Sequence, residues 1–299
     1  MFKIKESLGD RLFDAGNKLF LTLALLVVLY PLVYIVSASI SDPTYVNSGQ
    51  MWGWPKGLMF DGYERVFRNL DIWIGYGNTL FYTALGTFIN LLCTIPCAYA
   101  LARRDLVGRN WIMGYFVLTM FFSGGLIPFY LLIKQLHMLD TVWAVVLPGA
   151  VSVWNVIITR TFFQSTIPRE LEEAAEMDGC STTMLFIRII LPLSAPIIAV
   201  MALFYGIGHW NGYFSAMIFL TDRDKFPLQL ILREILIVQQ MNDSMMVGGA
   251  TQEAQATQAK IAEIVKYAVI IVSSLPVILM YPFVQRYFVK GVMLGSIKG

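Results

Sequence analysis

An all-α fold that crosses a membrane several times is what this sequence predicts, on three observations. Hydrophobic residues make up 57% of the 299 and charged residues 14%, and mean hydropathy is +0.63, far from the balance of a soluble domain. Six apolar segments, 17–39, 78–101, 111–133, 141–163, 193–220 and 267–288, each approach or exceed the roughly 20 residues that a helix needs to cross a bilayer. The 22 Lys and Arg all fall in loops, tails or span ends, and none of the 20 acidic residues sits mid-span. No stretch between the spans reads as a separate soluble domain, and there is no internal repeat, so 1–299 reads as a single transmembrane domain.

The first span contains the run Leu19 to Val36, longer than the 7–15 apolar residues of a signal sequence, so Ser37-Ala38-Ser39 is read as the end of a retained helix and not as a cleavage site. The second span carries Cys93 and Cys97, four apart on one helix; with Cys180 they read as reduced, small apolar residues. Arg103, Arg104 and Arg109 crowd the short loop after it. That side also holds the N-terminus, the 164–192 loop and the C-terminal tail, and its excess of basic residues makes it cytoplasmic. Ser123-Gly124-Gly125 in the third span loosens a helix, and Pro31, Pro96, Pro128, Pro148, Pro276 and Pro282 invite kinks elsewhere.

Between the fourth and fifth spans the composition changes abruptly to Glu170, Glu172, Glu173, Ala174, Ala175, Glu176, Asp178 and Gly179. Pro168 suits a first helical position, acid in the first turn suits the helix dipole, and Gly179 suits the position after the helix end, so 168–178 is a predicted helix of about three turns. Leu171, Ala174, Ala175 and Asp178 fall at i, i+3, i+4, i+7 and form a narrow face that another protein can approach closely. A short second segment, 182–190, then leads through Ile189 and Leu191 to Pro192.

The fifth span contains Gly206, Gly208 and Gly212 around His209-Trp210-Asn211, followed by Tyr213. Broken or polar backbone at membrane depth is tolerated where it lines protein or a water-filled cavity. Trp210, Asn211 and Tyr213 are therefore candidates for the wall of a solute path, an aromatic face for the C–H face of a sugar ring and an amide for hydroxyls. Close helix packing with an interfacial aromatic belt is the competing reading of the same residues. The long segments 40–77, with Trp52 and Trp54, and 221–266 lie on the outer side.

What is missing narrows the chemistry. No G-x-x-x-x-G-K-[ST] is present, so the chain has no Walker A cradle for ATP. No ionisable group lies mid-span to carry a coupling proton, which argues against a secondary transporter, although a sodium site of carbonyls and hydroxyls escapes that argument. His137 and His209 are too few and too far apart for a metal site, and no Ser-His-Asp or paired-carboxylate set is credible. The net charge of +2, with dispersed basic residues, suggests no nucleic-acid partner.

Glu173-Ala174-Ala175, Gly179, Ile189, Leu191 and Pro192, in that spacing, resemble the E-A-A loop by which membrane subunits of bacterial ABC importers grip their ATPases. Over nearly its whole length the chain resembles the MalG-type permease subunits of carbohydrate ABC importers. Trp210-Asn211, Thr221-Asp222, Phe226-Pro227-Leu228, and the ending from Gln285 to Gly291 with Gly295 to Gly299 carry that resemblance, and Tyr45 to Gly49 looks closer to the LplC-like branch. The resemblance implies a type I importer permease in the bacterial cytoplasmic membrane, with both termini cytoplasmic and the 164–192 loop as coupling element. It also implies a second, MalF-like permease, a homodimeric ABC ATPase that holds ATP and Mg, an extracytoplasmic solute-binding protein, an oligosaccharide as solute, and no cofactor in this chain. The 241–260 region corresponds in place to a loop that probes the binding protein, and the C-terminal tail is expected against the ATPase interface. An ABC permease for a non-sugar solute is the alternative, and a secondary transporter a more distant one.

Overall fold

The computed structural model describes residues 7–245 and 265–279, with 282 and 285. Among the described residues the architecture is helical throughout, with no strand beyond an isolated bridge between Ser41 and Leu58. The chain divides into two compact units, 1–69 with 234–274 and 70–233 with 275–299.

In the first unit, α1 (Leu8–Ser39) starts nine residues ahead of the predicted span because Ser7 and Asp10 form a reciprocal capping box. It runs through Pro31 without a break. Leu19 to Val36 are mostly exposed, as suits a helix wetted by lipid. Its C-terminal turn is different: Ala38 packs with Val46 of α2 (Pro43–Asn47) and Met51, and Tyr34 meets Tyr267 of the 265–279 helix edge-on at 6.4 Å. The hydroxyls of Ser37 and Ser41 donate to the carbonyls of Gly53 and Ser37, both at 2.6 Å, so this turn is closed with polar as well as apolar contacts. A short amphipathic helix, α3 (Asp61–Arg68), ends the segment.

The second unit is organised around α4 (Leu70–Ala102), which also continues through its proline, Pro96. It packs mainly on α8 (Val153–Thr166) and α12 (Ala195–Trp210). The other predicted spans are not single rods. The 111–133 segment is α5 (Arg109–Phe121) and α6 (Leu126–Gln135), bent by 112° where Gly125 takes φ +85°. The 141–163 segment is α7 (Val142–Val146) and α8, separated by 147–152 around Pro148 and Gly149. The 193–220 segment ends α12 at Trp210 and resumes as α13 (Phe214–Phe219). These breaks are where glycine and proline weaken the helix, and each needs partners for the backbone groups it frees.

The 164–192 loop folds into α9 (Arg169–Met177), α10 (Thr182–Leu185), a π turn over Phe186–Ile190, and α11 (Leu191–Leu193). The segment after α13 holds a short 3-10 turn and then α14 (Leu228–Met245), a helix not foreseen in the 221–266 stretch. Residues 246–264, which include most of the outer loop expected to meet a binding protein, and the C-terminal tail from 286 lie outside the described residues.

Candidate functional site

Helix α9 has Pro168 as its cap residue, so it begins one residue later than expected, and it is followed by Gly179 at φ +76°, a conformation that a side chain would strain. The expected docking face is split. On this nine-residue helix only Ala175 is buried, with Leu171, four residues before it, half-buried. Ala175 is 7% exposed and joins a core with Tyr99, Leu185 and Ile190, against which Ile189 and Leu191 also pack. Glu173, Ala174, Met177, Asp178 and Gly179 remain on the outside, as does Pro192.

Two other carboxylates of α9 turn back toward α4. Arg103, whose side chain is only 12% exposed, holds Glu176 at 3.0 Å and Asp105 at 2.7 Å. The hydrogen bond to Asp105 above all, with those to Tyr99 and Glu176, raises the proton affinity of the guanidinium, and Arg103 in turn lowers the Asp105 pKa. The Tyr99 hydroxyl donates to Glu172 at 3.3 Å, while its ring stacks on Phe186 at 5.0 Å and meets Phe163 edge-on. Arg109 and Arg160 donate to the carbonyls of Arg103 and Leu101. The 164–192 loop is thus clamped to the C-terminal end of α4 by charge, aromatic packing and a shared core.

Along the rest of α4 runs a polar stripe at near-four-residue spacing. Thr79 accepts from the Leu228 amide at 2.8 Å, and Tyr82 donates to the Lys225 carbonyl at 2.8 Å. Gly86 leaves room for the His209 ring, which a Cβ there would meet at 2.4 Å. Asn90, fully buried, donates to the Gly149 carbonyl in the break between α7 and α8 and accepts from His209 at 2.7 Å, just before the break after α12. Thr94 pairs with the Tyr205 hydroxyl at 2.6 Å, and that hydroxyl also accepts from the Ser152 amide. This one face satisfies the frayed backbone of three segments.

Toward the N-terminal end of α4, Asp140, at φ +58°, accepts from the amides of Thr221 and Asp222 and pairs with Lys225 at 2.9 Å. Lys225, with those two amides, holds the Asp140 carboxyl down at about 2. Asn78 donates to the carbonyls of Asp224 and Phe226, so the Thr221–Leu228 stretch is fastened to α4.

Of the fifth-span candidates, Trp210 is 4% exposed and packs edge-on against Tyr76 at 6.0 Å. Asn211 donates to the Ile207 carbonyl of its own helix, and Tyr213 lies under the Arg233 guanidinium at 4.8 Å. A cavity of about 380 Å³ does open beside them, but its wall on this stretch is made by Gly208, His209, Gly212 and Ser215.

Residues 72–294 match the family described as binding-protein-dependent transport system inner membrane component. The chain belongs to that family. It is a permease, a membrane transport subunit and not a catalytic one. It is 40% identical to protein LplC of Bacillus subtilis (strain 168), over 97% of this chain and 96% of that protein. It is 39% identical to the polygalacturonan/rhamnogalacturonan transport system permease protein YtcP of the same organism, over 97% and 99%. A chain in the crystal structure of a bacterial ABC transporter involved in the import of the acidic polysaccharide alginate superposes with a TM-score of 0.82 at 35% identity, covering 96% of this chain and all of that one. The permease therefore has the type I importer fold that its sequence resembles.

Sequence reasoning used Arg103 only to orient the permease, and passed over Tyr99, Asn90 and Asp140. A signal for part of this was present: Thr79, Gly86, Asn90 and Thr94 recur on one face of an otherwise apolar helix. Polar residues at that spacing inside a membrane helix mark a face turned to protein. Nothing local marks Asp140, whose partners are about eighty residues away.

Proposed function

We propose that this permease forms half of the membrane pathway of an ATP-driven importer of oligosaccharides, with α9 as its docking element for a cytoplasmic ATPase. One observation carries the docking element: α9 presents Glu173, Ala174, Met177 and Asp178 outward while Arg103 and Tyr99 hold its other side to α4. A force applied to α9 is then delivered to the longest helix of the unit. The N-terminus and C-terminal tail share the cytoplasmic side with α9, in keeping with the basic 102–110 loop. A second permease, a pair of ATPase subunits holding ATP and Mg, and an extracytoplasmic binding protein complete the importer; the chain itself needs no cofactor.

The saccharide assignment draws on the relatives, one named for polygalacturonan and rhamnogalacturonan and another for alginate. Oligomers of uronic acids are the first solutes to test. The permease pair, ATPase and binding protein are reconstituted in liposomes and offered trigalacturonate, an alginate trimer and cellotriose. Expected is ATP-dependent uptake of at least one, and none by this chain alone with ATP or a proton gradient. Gradient-driven uptake by the isolated chain overturns the reading, and uptake of peptides or inorganic ions instead of all three saccharides overturns the solute class.

A further inference from the structure

The cavity of about 380 Å³ in the second unit lies among α4, the 147–152 break, α8, α12 and α13. Its most telling wall residue is Asn155. The side chain is 8% exposed, and its amide has no hydrogen-bond partner among the described residues, although the backbone of the same residue is fully engaged through Ser152 and Thr159. The side-chain polar atoms that are fully enclosed without a partner are, among the described residues, the hydroxyls of Thr83 and Thr87; the Asn155 amide, with two donors and two acceptors, instead opens onto the cavity. Asn155 therefore points to a polar occupant.

The surrounding groups describe that occupant. The Ser215 hydroxyl is likewise without a partner among the described residues and lines the same space. Asn90 already donates through its Nδ2 to Gly149, so its Oδ1 must accept from His209, which places the imidazole proton on Nε2 and leaves Nδ1 as an acceptor when the ring is neutral. Ser152 accepts from the Asn155 amide nitrogen of the backbone and keeps its hydroxyl proton to give. Two rings line the same space: Phe204, 41% exposed, and Tyr82, whose hydroxyl is committed to Lys225. A lining of mixed donors and acceptors together with aromatic rings suits a ring with hydroxyls around its edge and C–H bonds on its face.

We propose that this cavity is a subsite for one sugar ring on the translocation path, with the Asn155 amide bridging neighbouring ring hydroxyls, Ser152, Ser215 and His209 Nδ1 completing the polar edge, and Phe204 supplying the stacking surface. The proposal rests on the oligosaccharide reading above and moves the contact from Trp210, Asn211 and Tyr213 to residues on the 147–152 break, α8, α12 and α13. Asn155→Leu keeps the volume and removes every hydrogen bond.

The test uses the complete importer in liposomes and whichever of trigalacturonate, the alginate trimer and cellotriose the wild type accumulates, alongside an analogue lacking one ring hydroxyl. Co-purification of the second permease and the ATPase establishes that each variant folds. Asn155→Leu should raise the KM for uptake about tenfold, the effect of roughly one lost buried hydrogen bond. The deoxygenated analogue should be disfavoured about tenfold by the wild type and hardly at all by the variant. If Asn155→Leu fails to assemble, Ser215→Ala carries the test, with a KM rise of about threefold or more. Unchanged KM, or an equal penalty for the missing hydroxyl in wild type and variant, overturns the subsite and leaves a water-filled gap between helices. Failure of the wild type to move any of the three saccharides overturns the functional reading first, and the subsite with it.

Discussion

Asn90 is the place where a single side chain decides whether two broken helices stay in register. Replacing it by leucine preserves bulk but leaves the Gly149 carbonyl and the His209 Nε2–H without partners in a site that is fully buried. In water-soluble proteins each such orphan costs about 1–3 kcal/mol. Within membranes measured hydrogen bonds are weaker, about 0.6 kcal/mol on average and up to about 2, because competing partners are found in the unfolded state. Taking the membrane range for two bonds gives roughly 1–4 kcal/mol, which corresponds to several degrees in the melting temperature of a domain this size. The assay is thermal denaturation of the detergent-purified permease pair, run as a cycle with His209→Leu and the double variant. Because the shared bond is lost in both singles, the double variant should fall short of their sum by about 0.5–2 kcal/mol. A melting temperature for Asn90→Leu equal to that of the wild type, or strict additivity with His209→Leu, would refute the claim that Asn90 pins both breaks.

Three further outcomes follow from the same geometry. Arg103→Ala removes the Glu176 contact; since Glu176 is 55% exposed, that bond is screened, and the loss should be about 1 kcal/mol, read as a several-fold drop in solute moved per ATP hydrolysed, with the exchange Arg103→Glu/Glu176→Arg recovering part of it. Gly179→Ala forces a side chain into φ +76° in open space, so its effect is pure backbone strain of about 1–2 kcal/mol; weaker co-purification of the ATPase, partly restored by Gly179→Asn, is the expected result. The Asp140 carboxyl, held down at about 2 in the folded chain against 3.8 ordinarily, contributes stability that is complete above pH 3.8 and disappears as the pH falls through 2; Asp140→Asn should flatten the stability profile in that window and leave its shape above pH 5 unaltered.

Composition and periodicity determined the class of this protein, because a chain with so few charges must place its long apolar runs in lipid, and only helices satisfy their own backbone there. Fixed local spacing did the same for the 164–192 loop: Gly179 stands where the left-handed turn needs it, and α9 lies within one residue of its predicted ends. Tertiary structure alone decided which side of α9 faces out, since Ala175 is buried only because Tyr99, Leu185 and Ile190 are there to receive it. It also decided that Trp210 is buried against Tyr76 and that Asn155, on a segment with no distinguishing pattern, lines a cavity. The physical reason is the same in each case. Helix ends, glycine turns and apolar runs are set by neighbours in the chain, whereas burial and the unspent capacity of a polar group depend on segments fifty to a hundred and fifty residues apart, as the bond from Thr79 to Leu228 illustrates.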